Sequence, residues 1–299
     1  MSGALTDLTL AEAADGLVAG DFSAAELAQA HLEAMEAARG LNAFITETPE
    51  LARARAAQSD AGIAAHDLTV TYRNGHTALW NASFEVPKGT VTALVGVNGA
   101  GKSTLMGLLT RLFTTSDGTI TVAGHDIARE PRKALAEIGV VFQQTTLDLD
   151  LTVHRNLSYF AALHGLSGRD ARKRIDAALE RLGMAERAHE RARDLNGGHR
   201  RRTEIARALI HSPSVLLLDE PTVGLDAEAR RSITDHVHDL ANDQNLTVLW
   251  TTHLTDEVRD ADRLIVLHQG EILADGHCGA LRGQRALADY FLTLTGADA

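Results

Sequence analysis

The chain has 299 residues, of which 44% are hydrophobic and 23% charged, a globular composition with enough apolar bulk for one large domain or two smaller ones. Its formal net charge of −11 disfavours binding to a nucleic-acid backbone, so we expect no nucleic-acid partner. The single cysteine excludes internal disulfides and thiolate zinc clusters and favours a cytoplasmic protein. No apolar run approaches the ~20 residues of a membrane helix, so any membrane role is expected to come through a partner chain.

The first 63 residues predict a short helical extension. Residues 1–64 hold ten acidic and three basic residues and little apolar bulk, too little for a secure core. Three helices are indicated by ordinary start and stop signals: capping boxes at Thr9/Glu12 and Ser23/Glu26, glycine stops at Gly20 and Gly40, and a first-turn proline at Pro49.

Residues 64–299 predict an α/β domain. From His66 onward the residue pattern becomes typical of strands, in the stretches DLTVTY, ALWNASFEV and TVTALVGV, with turn signals between them. A glycine-rich loop and a helix follow, then short strands, a helical stretch from about residue 151 to 193, and alternating strands and helices. This order predicts an antiparallel β subdomain, an α/β core and an inserted all-helical subdomain.

The stretch GVNGAGKS, residues 96–103, matches the pattern G-x-x-x-x-G-K-[ST] between an apolar strand and a helix. Its glycines let successive N–H groups point at phosphate oxygens, and the positive end of the helix dipole adds to the attraction. Lys102 is predicted to reach the β- and γ-phosphates of a nucleotide, and the Ser103 hydroxyl to bind Mg²⁺.

The stretch VLLLDE, residues 215–220, predicts a buried strand that ends in two carboxylates. Asp219 at the strand's end suits a Mg²⁺ contact beside the phosphate loop. Glu220 points elsewhere and is predicted to polarise the attacking water as a general base.

Taken in order, these motifs resemble the ATP-binding domain of ABC transporters over residues 64–299. The chain shows Tyr72, GVNGAGKST, Gln143, LNGGH at 195–199, LLLDEPT, GLD at 224–226, and His253. The resemblance implies a P-loop NTPase with a RecA-like core, and ATP with Mg²⁺ as its ligands.

The resemblance also implies a role for each matching residue. Tyr72 stacks on adenine, Gln143 contacts Mg²⁺ and the lytic water, and His253 contacts the γ-phosphate. Lys102, Gln143, Glu220 and His253 are the expected catalytic residues, and Ser103, Gln143 and Asp219 the metal ligands. The remaining nucleotide contacts are expected from Gly96, Asn98, Gly99, Ala100, Gly101, Thr104, Asn196, Gly197, Gly198 and Asp226, several of them across a dimer.

Some of these assignments have alternatives. Tyr72 is also compatible with a tyrosine packed on the strands, and Gln144 stands next to Gln143. The other histidines lack any grouping typical of a metal site, and we expect them on the surface or in packing.

The stretch LNGGH resembles the LSGGQ signature of the family, with Asn196 and His199 in place of its Ser and Gln. Asn196 is predicted to cap the following helix, and His199 to keep an N–H donor while titrating near neutrality. The run Arg200–Arg202 predicts a solvated helix face. ATPase subunits of exporter-type ABC systems are resembled by four stretches: TLDLDLTVHRNL, LNGGHRRRTEIARALIHSP, DEPTVGLD and DYFLTLTG. More narrowly, LNGGHRRR resembles the subgroup associated with pyrroloquinoline-quinone-dependent alcohol dehydrogenases.

Residues 1–63 resemble the first helices of the A subunit of glutamyl-tRNA(Gln) amidotransferase. They contain no lysine, and the catalytic core of that family is missing, so no amidase activity is expected. An inert extension is the preferred interpretation, with binding to an amidotransferase partner as the alternative.

The sequence therefore predicts the ATP-hydrolysing subunit of an ABC exporter. It is expected to pair with a second copy, or a similar chain, through the ATP sites, and to bind a separate membrane permease around residues 145–161. Its predicted location is the cytoplasm, on the inner face of the cell membrane. The alternative is a soluble ABC ATPase that acts on ribosomes or DNA.

Overall fold

A computed structural model describes residues 5–37, 48–50, 52–53 and 60–296 of the chain. The chain divides into two compact units, Met1–Ala61 and Gly62–Ala299.

In the first unit, helix α1 (Leu10–Ala19) is held by its own ends. The Thr9 hydroxyl accepts from the N–H of Glu12, whose carboxylate accepts from the N–H of Thr9. The helix stops at Gly20, whose φ of 75° is the left-handed conformation that glycine adopts without strain. Both predicted signals are confirmed.

Helix α2 (Ala24–Ala37) starts at the predicted capping box of Ser23 and Glu26. The carboxylate of Asp60 accepts from the first two N–H groups of this helix, at 2.7 and 2.8 Å. Ala30 is its buried residue, consistent with a thin core. The predicted stop at Gly40 and most of the predicted third helix lie outside the described residues; residues 49–50 and 52–53 are helical.

A four-stranded sheet opens the second unit, in the order β2-β1-β4-β5. Its strands are β1 (Ala61–Thr71), β2 (Thr77–Pro87), β4 (Asp117–Val122) and β5 (His125–Asp126). Strand β1 pairs antiparallel with β4, and β4 with β5. The prediction of helical extension up to residue 63 is wrong at its end. The small residues around Ile63 have weak local preference, and pairing of Ile63 with Val122 makes them a strand.

A six-stranded sheet forms the centre, in the order β10-β9-β3-β8-β7-β6. Its strands are β3 (Val91–Val95), β6 (Ile138–Val141), β7 (Val215–Asp219), β8 (Thr247–Thr252), β9 (Arg263–His268) and β10 (Glu271–His277). All paired neighbours are parallel except β10, which runs antiparallel to β9.

The helices of the second unit cover this sheet and build the predicted insertion. They are α3 (Lys102–Leu109), α4 (Pro131–Ala136), α5 (Val153–Leu163), α6 (Gly168–Arg181), α7 (Gly197–Leu209), α8 (Ala227–Gln244), α9 (Cys278–Arg282) and α10 (Leu287–Thr295). Helices α5, α6 and α7 lie in the chain between β6 and β7, which confirms the inserted helical subdomain. Within the described ranges, no helix combines the length and apolarity needed to cross a membrane.

Strand β7 shows how the core positions the site. Leu216 and Leu218 point into a cluster with α5, α6 and α7, whereas Val215 and Leu217 point into a cluster with the four-stranded sheet and α3. Both faces are buried, so the strand is apolar at every position up to its end, as parallel central strands are. This double packing fixes where Asp219 emerges.

Candidate functional site

The loop between β3 and α3 is shaped by glycines. Gly101 has a φ of 113°, and a Cβ there would lie 2.6 Å from the carbonyl oxygen of Ala78. Gly101 caps α3 without any side-chain hydrogen bond. The first N–H groups of α3 therefore have no side-chain acceptor, and they form an anion-binding helix start.

Lys102 lies beneath this loop, with 6% of its surface exposed. Its ammonium group donates to the carbonyl oxygens of Gly96, at 2.6 Å, and Val97, at 3.2 Å. It also lies 3.1 Å from the Glu220 carboxylate, which balances its charge.

The carboxylate of Glu220 is the centre of the site. Beside its contact with Lys102, it accepts from the side-chain amide of Gln143 at 3.0 Å, and Nδ1 of His253 lies 3.3 Å away. Glu220 itself has a φ of 46°, a conformation that costs free energy in a non-glycine residue and is typical of functional sites. Three of the residues predicted as catalytic, Lys102, Gln143 and His253, therefore each contact the fourth, Glu220.

Asp219 faces a different set of partners. Its carboxylate accepts from the hydroxyl of Thr251 at 2.8 Å, and this hydroxyl also accepts from the N–H of Glu220. Burial raises the pKa of Asp219, and the neighbouring Glu220 carboxylate adds to the effect. Strand pairing of Asp219 with Thr251 therefore fixes both carboxylates.

Most of the predicted nucleotide contacts line one cleft of about 420 Å³. Its predicted members are Tyr72, Asn98, Gly99, Gly101, Lys102, Ser103, Thr104, Gln143 and Glu220. The cleft is also lined by His76, which the sequence analysis missed. Gly96 and Ala100 support the loop from below, where Gly96 donates to the carbonyl of Thr252 and Ala100 is 2% exposed.

Tyr72 stands at the mouth of this cleft. Its ring is 42% exposed, its hydroxyl is 2.9 Å from that of Thr104, and the ring of His76 is stacked parallel to it at 6.5 Å. The turn TYRNGH brings the two rings together, because Gly75 donates back to the carbonyl of Tyr72. A flat aromatic surface at the rim of a polar cleft suits a nucleobase.

The cleft offers the kind of ligands that Mg²⁺ prefers. Asp219, one of the three predicted metal ligands, is not among the residues that line this cleft. Ser103 is exposed in the cleft, and Gln143 and Glu220 also line it, so hydroxyl, amide and carboxylate oxygens are available there. These residues fit a Mg²⁺ ion. Across the described part of the chain, no cluster of three or more His, Cys, Asp or Glu side chains forms a further metal site.

The stretch LNGGH lies elsewhere. Asn196 caps α7, and its side-chain oxygen accepts from the N–H of His199 at 2.8 Å, which confirms the predicted cap. Asp226 caps α8 in the same way, through the N–H of Ala229. A depression of about 270 Å³ is lined by Asn196, Gly198, His199, Arg202, Asp226, Glu228, Ala229 and Ser232. None of these residues lines the phosphate-loop cleft.

The sequence analysis expected His199 to titrate near neutrality. Burial lowers its pKa from the ordinary 6.5, and the positive charges of Arg187 and Arg202 lower it further. This shift favours the neutral ring.

The prediction of a solvated arginine face is wrong for Arg201. This residue is 7% exposed and donates to the carbonyl oxygens of Phe142 and Gln143, at 2.7 and 2.9 Å, and to the carboxylate of Glu204. Glu204 in turn accepts from the hydroxyl of Thr145 and the N–H of Thr146. We name Arg201 and Glu204 the α7 clamp, since together they hold the segment that carries Gln143.

The sequence analysis missed the α7 clamp because most of its partners are distant in the chain. Its two members are three residues apart on one helix, a spacing that brings side chains together and that was available in the sequence. Their other partners lie 58 and 59 residues away in the chain, and only the fold brings them within reach.

Known proteins resemble this chain over most of the second unit. Residues 79–223 match a family described as "ABC transporter". The linearmycin resistance ATP-binding protein LnrL of Bacillus subtilis (strain 168) is 38% identical over 74% of this chain and 72% of its own length. The Nod factor export ATP-binding protein I of Neorhizobium galegae is 41% identical over 70% of this chain and 60% of its own length.

A solved structure agrees with these matches. The ATP-binding cassette MJ0796, in a dimeric post-hydrolysis state bound to ADP and Pi, superposes with a TM-score of 0.65 at 28% identity. The match covers 72% of this chain and 98% of that one.

Proposed function

We propose how this chain works from the premise that it belongs to the ABC transporter family, as an exporter-type ATP-binding subunit that hydrolyses ATP. The observation that carries the proposal is the set of three contacts, from Lys102, Gln143 and His253, to the carboxylate of Glu220. ATP hydrolysis needs a phosphate-binding group and a general base close to the same attacking water, and these contacts bring such groups together.

Nucleotide binding changes the partner of Lys102. In the protein alone its ammonium group is balanced by Glu220, 3.1 Å away. A γ-phosphate placed against the N–H groups of the loop competes for this ammonium, and the Glu220 carboxylate is then available to accept a proton from water. Gln143 and His253 keep the carboxylate oriented during the exchange.

Mg²⁺ is proposed as the second cofactor, held by Ser103, Gln143 and Asp219. When bound, the ion neutralises charge on the β- and γ-phosphates. The raised pKa of Asp219 reflects a buried carboxylate that a cation would stabilise in its charged form.

Two copies of the chain are proposed to close on each other. Asn196 and Gly198 line a depression separate from the phosphate-loop cleft, so a nucleotide in one copy contacts LNGGH only if a second copy supplies it. The dimeric state of the MJ0796 cassette supports this arrangement. Asp226, at the rim of the same depression, then lies between the two sites.

The partner that uses this energy is proposed to be a separate membrane permease that exports its substrate. The names of the two relatives, one for linearmycin resistance and one for Nod factor export, support this direction. The proposed docking surface is residues 145–161, where Tyr159 is 63% exposed on α5. The chain is accordingly proposed to lie in the cytoplasm, on the inner face of the membrane.

We also propose a subgroup for the second unit and a role for the first unit. The subgroup associated with pyrroloquinoline-quinone-dependent alcohol dehydrogenases is supported by the residues LNGGHRRR alone. The first unit is proposed to be an extension without catalytic function. Deleting residues 1–59, which spares the strand pairing of Ile63 with Val122, is expected to leave ATP hydrolysis unchanged.

The test of the proposed function is the variant E220Q with ATP and Mg²⁺. It is expected to bind ATP, to lose hydrolysis and to accumulate as a dimer on size-exclusion chromatography with light scattering. E180Q, at an exposed position on α6, is the matched control and is expected to behave as wild type. An E220Q protein that hydrolyses ATP normally, or stays monomeric with saturating ATP, contradicts the proposal.

A further inference from the structure

Behind the site, a second glutamate is buried without any role in the mechanism described so far. Glu257 lies at the end of a short turn, Thr255–Glu257, that follows β8. Its side chain is 1% exposed. Burying a carboxylate in such a place is costly unless donors surround it.

Three side chains donate to Glu257, and they come from two segments of the site. Thr222 donates to Oε1. Thr252 and the indole N–H of Trp250 donate to Oε2, at 2.6 and 3.2 Å. Arg230 of α8 lies 4.0 Å from Oε1 and supplies a positive charge nearby.

The Thr252 hydroxyl connects Glu257 to both neighbours of His253. It donates to Glu257 and at the same time accepts from the N–H of Leu254 at 2.9 Å. The backbone on each side of His253 is therefore fixed by one hydroxyl, which is itself oriented by Glu257.

The hydrogen bond from Thr222 to Glu257 fixes the segment that carries Glu220 in the same way. Thr222 follows Glu220 by two residues and is 1% exposed. Glu220 has the left-handed conformation described above, which persists only if the chain around it is held. Glu257 is thus bonded to the segments that carry Glu220 and His253.

We infer that Glu257 is a positioning residue that sets the separation of His253 from Glu220. The inference rests on the proposed role of His253 in hydrolysis. A positioning role differs from a purely structural role in one respect, because the effect of Glu257 on turnover then passes through His253. Loss of Glu257 then lowers kcat, whereas the phosphate loop that binds ATP is untouched.

The first variant is E257Q, which keeps the shape of the side chain. One of its two oxygens becomes an NH₂ group that donates and cannot accept, so at least one of the three donors must reverse its hydrogen bond or lose it. We expect kcat to fall roughly 10- to 100-fold, the usual effect of a displaced catalytic group, while KM for ATP stays within about twofold.

The second variant is T252V, in case E257Q is too unstable to purify. It removes only the hydroxyl that joins Glu257 to Leu254, and we expect the same loss of kcat at unchanged KM. T92V is its matched control. Thr92 is 0% exposed in β3 of the same sheet, and its hydroxyl has no hydrogen-bond partner among the described residues, so the same chemical change is expected to leave kcat unchanged.

The deciding experiment is a double-mutant cycle of E257Q, or T252V, with H253A. Residual hydrolysis is followed in single-turnover reactions, and folding is checked by thermal unfolding. If Glu257 acts through His253, the double variant is as slow as H253A alone. Losses that multiply overturn the inference and leave the proposed function intact. An H253A variant with wild-type turnover overturns the role of His253, and the inference with it.

Discussion

The phosphate-loop face and the LNGGH face of this chain satisfy their polar groups in opposite ways. In the first, Lys102, Gln143 and His253 each contact the carboxylate of Glu220, and the charge of Lys102 balances that of Glu220 within the chain. In the second, Asn196 caps its own helix and two glycines follow, with no acidic residue in the first turn of α7. A helix start without a carboxylate complements an anion, and the first face is where a phosphate is expected.

The two faces are nevertheless joined within one chain. Arg201, one turn from the glycines, donates to the backbone of Gln143, whose side chain reaches Glu220. A movement of α7 therefore acts on the segment that carries Gln143. Substitutions on either face are therefore expected to affect the other.

Removing the charge on the first face gives the largest expected effect. K102A deletes the ammonium group that balances Glu220 and that we propose to contact the phosphates, and we expect kcat/KM for ATP to fall by about a hundred- to a thousandfold. K102R keeps the charge but not the compact geometry, and is expected to recover little. Steady-state phosphate release measures both. A K102A protein with near-normal turnover contradicts the assignment of this face.

Breaking the link between the faces is expected to cost stability. R201M leaves the Glu204 carboxylate buried without its cation, and the free energy of unfolding should fall by about 3–5 kcal/mol. Adding E204Q removes the stranded charge and should restore part of the loss, since two carbonyl groups still lack their donor. Urea denaturation measures both variants. Equal stability of R201M and wild type would show that the α7 clamp does not contribute to the free energy of unfolding.

A smaller effect is expected at the cap of the second face. N196A removes the oxygen that accepts from His199 and should destabilise the protein by about 1 kcal/mol. N196S supplies another capping oxygen and should unfold near the wild-type midpoint in urea. If both variants unfold alike, the cap contributes no measurable stability.

The smallest effect is expected from H199Q. Burial and the charges of Arg187 and Arg202 lower the pKa of His199 from its ordinary value, so less of the ring is protonated near neutrality than in a free histidine. Replacing the ring by an amide should therefore leave the pH profile of ATP hydrolysis unchanged between pH 7 and 8. A profile that changes between pH 7 and 8 contradicts the lowered pKa.

The sequence predicted the parts of this site that depend on local spacing. The phosphate loop follows from eight consecutive residues, and the order of motifs indicated Gln143, Glu220 and His253. Glu257 was missed because its donors stand at positions 222, 250 and 252, and nothing local indicates that this carboxylate is buried. Arg201 was misjudged for the same reason, since a basic run on a helix is usually solvated and only the tertiary contacts bury it.

The fold shows the same division between local and distant causes. The caps of α1 and α2 were predictable because both partners are three residues apart. The start of β1 was not, because pairing with β4, more than fifty residues away, decides it.

The central claim, that LNGGH of one copy serves the nucleotide site of another, is tested most directly by mixing two inactive variants. K102A disables the first face. G198D places a carboxylate at the start of α7, where a Cβ would already lie 3.2 Å from Ala229, and disables the second. A mixed dimer carries one site with both faces intact, so equal amounts should recover about a quarter of wild-type hydrolysis if the copies assort randomly.

The matched control mixes K102A with E220Q. Both defects lie on the same face, so every site in the mixed dimer is defective and no activity should return. Recovery in the first mixture and none in the second is the predicted result. A first mixture as inactive as its parents, with both proteins folded, would contradict the account.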